Sequence, residues 1–138
     1  CDQLISLENI QADYVLTLEP TSPFRSARTI QKTVELLLKP NVDSVVGVTE
    51  VTSVLGRIDG DVFSHIFPNQ PRRRQDRKAL YQESSTIYGT SMQVLRDKKS
   101  VIGDFPAPLI VPKEEALDIN DEFDFQLVES LMKSKAKI

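Results

Sequence analysis

The run Tyr14-Val15-Leu16-Thr17-Leu18 sits between Asp13 and Glu19-Pro20. A short, nearly continuous apolar run with such borders predicts a strand buried on both faces, as in a parallel sheet. The chain then passes through Pro20-Thr21-Ser22-Pro23-Phe24-Arg25. Prolines this close together suit neither a helix interior nor a central strand, so this is a stiff loop leaving the strand's carboxyl end. Ser26 has the position and chemistry of an N-cap. From there the spacing predicts a helix to about Lys39, with Ile30, Val34, Leu37 and Leu38 on one face. Pro40-Asn41 stops it. Asp43-Ser44-Val45-Val46-Gly47-Val48 is a second apolar, β-branched strand. Strand, loop, helix, strand makes a βαβ unit, which predicts parallel pairing and an α/β fold.

Working outward, Leu4, Ile5, Leu7 and Ile10 predict the end of an earlier helix. Arg57-Ile58-Asp59-Gly60-Asp61-Val62-Phe63 carries Asp-Gly between short apolar pairs and predicts a hairpin. Residues 68–78 form a polar, basic connection. Ser85 to Tyr88 predicts a short strand and Met92 to Arg96 a short helix. Ala107-Pro108-Leu109-Ile110-Val111-Pro112, with its prolines, suits an edge strand. Leu117-Asp118-Ile119-Asn120 predicts a brief strand-like step. Asp121 then caps a last helix with Phe123, Leu127, Val128 and Leu131 on one stripe.

Composition narrows the function. The chain has 138 residues, enough for one domain with a real core. Seventeen Lys and Arg against 20 Asp and Glu give a net charge of −3, which disfavours a general nucleic-acid partner. No apolar run approaches the ~20 residues that span a bilayer, so no membrane is expected. With Cys1 and His65 as the one cysteine and one histidine, an internal disulfide is excluded and metal sites built on these residues are improbable. A polar start without a leader pattern suggests a cytoplasmic protein, and a first residue that is not Met suggests processing or a piece of something longer.

Chemistry concentrates in a few places. The loop of residues 19–25 lies where ligands of open α/β sheets bind and offers Glu19, Thr21, Ser22, Arg25 and a helix amino end that favours anions. The plain alternative is a proline-braced turn with a serine cap. In an extended segment Asp118 and Asn120 point to one side, an oxygen pair of the kind Mg²⁺ takes together with substrate phosphates. The plain alternative is capping of the following helix. The basic run Arg72-Arg73-Arg74, with Arg77 and Lys78, suits anion recognition, but alone it is better read as a solvated loop. Tyr81 to Tyr88 is either a cleft wall or a half-exposed edge. His65, beside Ile66-Phe67, reads as a packed, structural histidine, and Cys1 carries no assignment.

In their order and separations, these stretches resemble the N-acylneuraminate cytidylyltransferases (CMP-sialic acid synthetases). The pieces are Leu18-Glu19-Pro20-Thr21-Ser22-Pro23-Phe24-Arg25, Asp43 to Thr49, Arg74-Gln75 leading to Thr86-Ile87-Tyr88, and Leu117 to Phe125. The resemblance implies a three-layer Rossmann-like nucleotidyltransferase sheet. It implies transfer of CMP from CTP, as co-substrate, to the anomeric hydroxyl of a sialic-acid-like 2-keto sugar acid, releasing pyrophosphate. Asp118 and Asn120 match the paired aspartates that hold Mg²⁺ (or Mn²⁺). Glu19, Thr21, Ser22, Arg25, Arg74, Ser84 and Tyr88 match substrate-pocket positions. A stretch like residues 57–80 reaches a second subunit, which implies a homodimer.

The chain departs from the family at several points. Asn120 stands where the family has a second aspartate, and so loses a charge. Glu19 stands where glutamine is frequent, and Ser84-Ser85 where Asn-Gly is usual. The Gly-, Arg- and Lys-rich loop that grips the CTP phosphates is absent. The expectation is a single, partial cytidylyltransferase domain over residues 1–138, its sheet incomplete at the N-terminal side. An incomplete sheet would expose an apolar edge and promote association. The alternative expectation is a truncated, non-catalytic binding or assembly module derived from that fold.

Overall fold

The computed structural model describes residues 11–135. The expected helix end at Leu4 to Ile10, and Cys1, lie outside them. The described chain divides into two compact units, one running to Thr49 and resuming at Glu83, the other Glu50–Gln82.

The larger unit holds a mixed four-stranded sheet in the order β1-β5-β2-β6. Its strands are β1 (Tyr14–Thr17), β2 (Ser44–Val51), β5 (Leu80–Ser91) and β6 (Pro106–Ile110). β1 pairs antiparallel with β5, Leu16 opposite Gly89. β2 pairs parallel with β6, Val46 opposite Pro108. The two strands of the expected βαβ unit are therefore not neighbours, because β5 lies between them. β1 is an edge of the described sheet rather than a strand buried on both faces, and Tyr14 and Leu18 are exposed.

β6 is the other edge, as its prolines require. Val111 donates its N–H to Val48 O (2.9 Å), so odd-numbered amides face β2. Pro106 and Pro108 thus place their missing N–H groups on the open side, where no ladder bond is lost.

Helix α1 (Ala27–Leu37) begins as expected: Ser26 Oγ accepts from Thr29 N at 3.2 Å. Its buried face differs from the expected one. Thr29, Thr33 and Leu37 are buried, while Val34 is 41% and Leu38 68% exposed. Burying Thr33 costs little because its hydroxyl donates to Thr29 O (2.9 Å). The core is Leu37, Val45, Ile87, Leu109 and Val111, drawn from α1, three strands and the residue after β6. α2 (Met92–Lys98) starts at Ser91, whose Oγ accepts from Val94 N (3.3 Å).

Residues 117–120 join no sheet, which corrects the expected strand-like step. α3 (Glu122–Lys135) follows, and Asp121 Oδ1 accepts from Asp124 N at 2.9 Å. Its expected stripe is mostly open: only Val128 is buried, and Phe123 is 73% exposed. At its far end Lys135 sits over the Phe24 ring, 4.7 Å from the centroid, and pairs with Glu114 at 2.5 Å.

The smaller unit is the expected hairpin with the basic loop. β3 (Gly56–Asp59) and β4 (Val62–His65) pair antiparallel, Asp59 opposite Val62. The turn is therefore Gly60-Asp61, with Gly60 at a φ of 57°, a conformation glycine adopts without strain. His65 is exposed rather than packed inside, its ring edge-on to Phe63 at 5.3 Å. Arg77 folds the basic loop through its guanidinium, which donates to Pro71 O (2.8 Å), Arg72 O and Thr52 O (3.4 Å).

Candidate functional site

The stiff loop after β1 and the segment before α3 meet. Ile119 donates its N–H to Thr21 O (3.0 Å). The Ser22 hydroxyl lies 3.4 Å from Asp118 Oδ1 and 3.3 Å from Ser85 Oγ. The structure thus brings residues from both ends of the sequence, with β5 between them, to one carboxylate.

That carboxylate is held below the usual carboxylate range. The Thr21 hydroxyl contributes most, burial opposes it, and the Ser85 and Ser22 hydroxyls and the Asn120 side chain act with Thr21. Hydrogen bonds to the charged form favour it, so Asp118 is an anion at neutral pH. Asn120 has a second duty in the chain bend: its N–H donates to Asp124 Oδ2 (3.0 Å).

Tyr88 stands beside this group. Its hydroxyl donates to Glu83 Oε1 at 2.7 Å. Burial first, then the Glu83 bond and charge, then the charges of Glu19 and Asp118, push the phenol up to about 12. The charges of Glu19 and Asp118 therefore both reach this one hydroxyl.

Arg25 is committed to the loop itself. Its Nε donates to Thr86 O and its Nη2 to Glu19 O (2.8 Å). Burial lowers its pKa, and the charges of Glu19 and Glu115 oppose that. Ser84 is buried, its hydroxyl 2.6 Å from Thr86 Oγ1, and Ser85 rather than Ser84 faces Ser22. Arg74 belongs to the smaller unit, exposed in a short turn (Arg74–Asp76) that edges a depression of about 190 Å³ with Glu50, Gln70 and Lys78.

The oxygen set suits a divalent ion only sparingly. It offers one ionised carboxylate and one amide oxygen, and among the described residues no group of three or more His, Cys, Asp or Glu gathers to hold a metal. Mg²⁺ commonly takes one or two carboxylates and completes its shell with phosphates and water, so the pair fits an ion carried mainly by a nucleotide. Sequence reasoning passed over Ser85 and Glu115. The serine is one position from the residue it named, and no local signal marks the glutamate.

No family model matches the chain. It is 30% identical over 126 residues to the CMP-N,N'-diacetyllegionaminic acid synthase of Legionella pneumophila, across 87% of this chain and 54% of that protein. This similarity is in keeping with the resemblance to the N-acylneuraminate cytidylyltransferases read from the sequence. The chain spans about half the length of the relative it matches. The fold agrees. A 4-diphosphocytidyl-2C-methyl-D-erythritol synthase from Anaerococcus prevotii superposes with a TM-score of 0.64 and 16% identity, over 95% of this chain and 64% of that one. A CMP:2-keto-3-deoxy-manno-octonic acid synthetase complexed with CTP superposes at 0.59 and 11% identity, over 97% and 68%. At such identities these structures establish the mixed α/β nucleotidyltransferase fold and nothing finer. No helix among the described residues is long and apolar enough to cross a membrane.

Proposed function

We propose that this chain belongs to a cytidylyltransferase that transfers CMP from CTP to the anomeric hydroxyl of a sialic-acid-like 2-keto sugar acid. The hydroxyl oxygen attacks the α-phosphorus, the bond from that phosphorus to the bridging oxygen breaks, pyrophosphate leaves and the hydroxyl proton passes to solvent. The observation that carries the reading is the meeting of Thr21 and Ser22 with Asp118, in a relative of a CMP-sugar-acid synthase.

Asp118, with Asn120, would hold Mg²⁺, which when bound neutralises phosphate charge and orients the displacement. The hydroxyls of Thr21, Ser22 and Ser85 keep Asp118 ionised and fix its direction. Arg25 and Ser84 act as frame, through Thr86, for the loop that borders the sugar. Glu19 accepts from sugar hydroxyls. Tyr88, neutral at physiological pH, shapes the wall and donates to Glu83. Arg74 offers a guanidinium suited to the sugar carboxylate. The exposed Ile58, Val62 and Phe63 of the hairpin support residues 57–80 as the contact of a homodimer.

The test is pyrophosphate release from CTP and Mg²⁺ with a panel of eight- and nine-carbon 2-keto sugar acids, on this chain and on any longer product of its gene. Release that requires a sugar acid supports the reading. No release by either protein, with no CTP binding by calorimetry, overturns it.

A further inference from the structure

The segment that carries Asp118 is fastened to the amino end of α1 by Glu115. The Glu115 carboxylate accepts from Ser26 N (3.3 Å), Ser26 Oγ (2.9 Å) and Thr29 Oγ1 (2.5 Å). Its backbone carbonyl accepts from Thr86 Oγ1 (2.7 Å). Thr86 is in β5 and also receives the Arg25 guanidinium on its own carbonyl. One residue thus joins the start of α1, β5 and the Asp118 segment. The first turn of α1 contains no acidic residue. Glu115 supplies from outside the helix the negative charge that the unpaired amides and the helix dipole favour there. This also changes what the helix end can do, because the Ser26 N–H and the hydroxyls of Ser26 and Thr29 are already taken by Glu115.

The geometry points to Glu115 as a positioning residue of the candidate site: it holds the Asp118 segment against the Thr21-Ser22 loop. The proposal rests on the cytidylyltransferase reading only for what the site does, not for the clamp. Both segments that form the site leave the clamp within a few residues. Ser26 closes the loop that contains Thr21 and Ser22, and Glu115 opens the stretch that ends in Asp118 and Ile119. Their one backbone bond, Ile119 N–H to Thr21 O, is the natural reporter.

Amide hydrogen exchange on the isotope-labelled chain tests this, by comparing Ile119 with core amides of β2 such as Val46. In Glu115→Ala, Ile119 should exchange about tenfold faster or more, the scale of losing charge-assisted bonds, with the β2 amides unchanged. Glu115→Gln, which keeps an acceptor for Ser26 and a partner for Thr29, should restore much of the protection. Thr29→Val removes one donor and should give a smaller acceleration, a reading that survives if Glu115→Ala fails to fold. Unchanged exchange at Ile119 overturns the proposal, as does acceleration in step with the β2 amides. Failure of the functional reading looks different: no sugar-acid-dependent pyrophosphate release from the unsubstituted protein, with the exchange pattern intact.

Discussion

The Ser22 hydroxyl stands 3.4 Å from Asp118 Oδ1, though 96 positions separate the two residues. Ser22 is only 2% exposed, so this contact belongs to the folded frame and is not an accident of the surface. Its partner remains partly open and anionic. An ionised oxygen held by neutral hydroxyls, with no basic side chain attached among the described residues, keeps its charge available to an incoming cation.

If that charge is used, Asp118→Ala should cut sugar-acid-dependent release of pyrophosphate from CTP by at least about a hundredfold, the scale of removing one preorganised electrostatic group. Because the side chain is partly water-facing, the variant should keep its far-UV circular dichroism spectrum and a cooperative melt. Turnover at the unsubstituted rate would end the assignment.

What the sequence discloses depends on how far each interaction reaches. The Ser26 and Asp121 caps and the turn near Gly60 are local, and each is visible as a residue type at a fixed offset. The edge strand is likewise visible through Pro108, since a proline tells directly what its nitrogen cannot do. Strand partners are different. Nothing near Tyr14 announces that Thr90 is opposite Val15, and the polar stretch Tyr81-Gln82-Glu83 conceals the true length of β5. The apolar stripe misjudged α1 because threonines can be buried once their hydroxyls bond back to the helix, as Thr33 does. Glu115 was invisible for the same reason as the pairing: its worth comes from Ser26 and Thr29, almost ninety residues away.

The packing of α1 on β5 makes Gly89 a sensitive point. A Cβ there would come within 2.7 Å of Thr33 Cγ2 and 2.8 Å of Leu37 Cδ1. Thr33 is β-branched and bonded, so it cannot swing aside freely. Gly89→Ala should lower the unfolding free energy by about 1–3 kcal/mol, the usual cost of overpacking. Urea unfolding followed by circular dichroism measures it, and a neutral outcome would mean that α1 shifts outward without penalty.

Asp43 ties the start of β2 to the turn before β6. Its carboxylate accepts from Asp104 N (2.7 Å), Phe105 N (3.1 Å) and Ser44 Oγ (2.9 Å). Burial alone would raise its pKa. The Asp104 amide, the Ser44 hydroxyl, the Phe105 amide and the Lys98 charge together hold it below the usual value. A carboxylate depressed in the folded state adds stability that is fully present above its unfolded value, about 3.9, and is lost as pH falls through the folded one. Asp43→Asn should therefore cost about 1 kcal/mol at neutral pH, a modest figure because the group is only partly buried. The deficit should shrink as the pH is taken below about 4. Denaturant titrations at a series of pH values would show it, and a deficit that does not change with pH would exclude the ionic contribution.

Tyr88 gives the reverse sign. Burial, the bond to Glu83 and three nearby carboxylates push its phenol up to about 12. A raised phenol contributes stability that is present below its unfolded value, about 10, and is lost as pH rises through the folded one. Ultraviolet titration of the phenolate should show a late step at about 12, and Tyr88→Phe should remove that late step. Glu83→Gln should bring the step to lower pH, since it takes away a charge while leaving an amide oxygen to accept the bond. If Glu83→Gln leaves the late step where it was, the carboxylate at 2.7 Å is not what holds the proton on Tyr88.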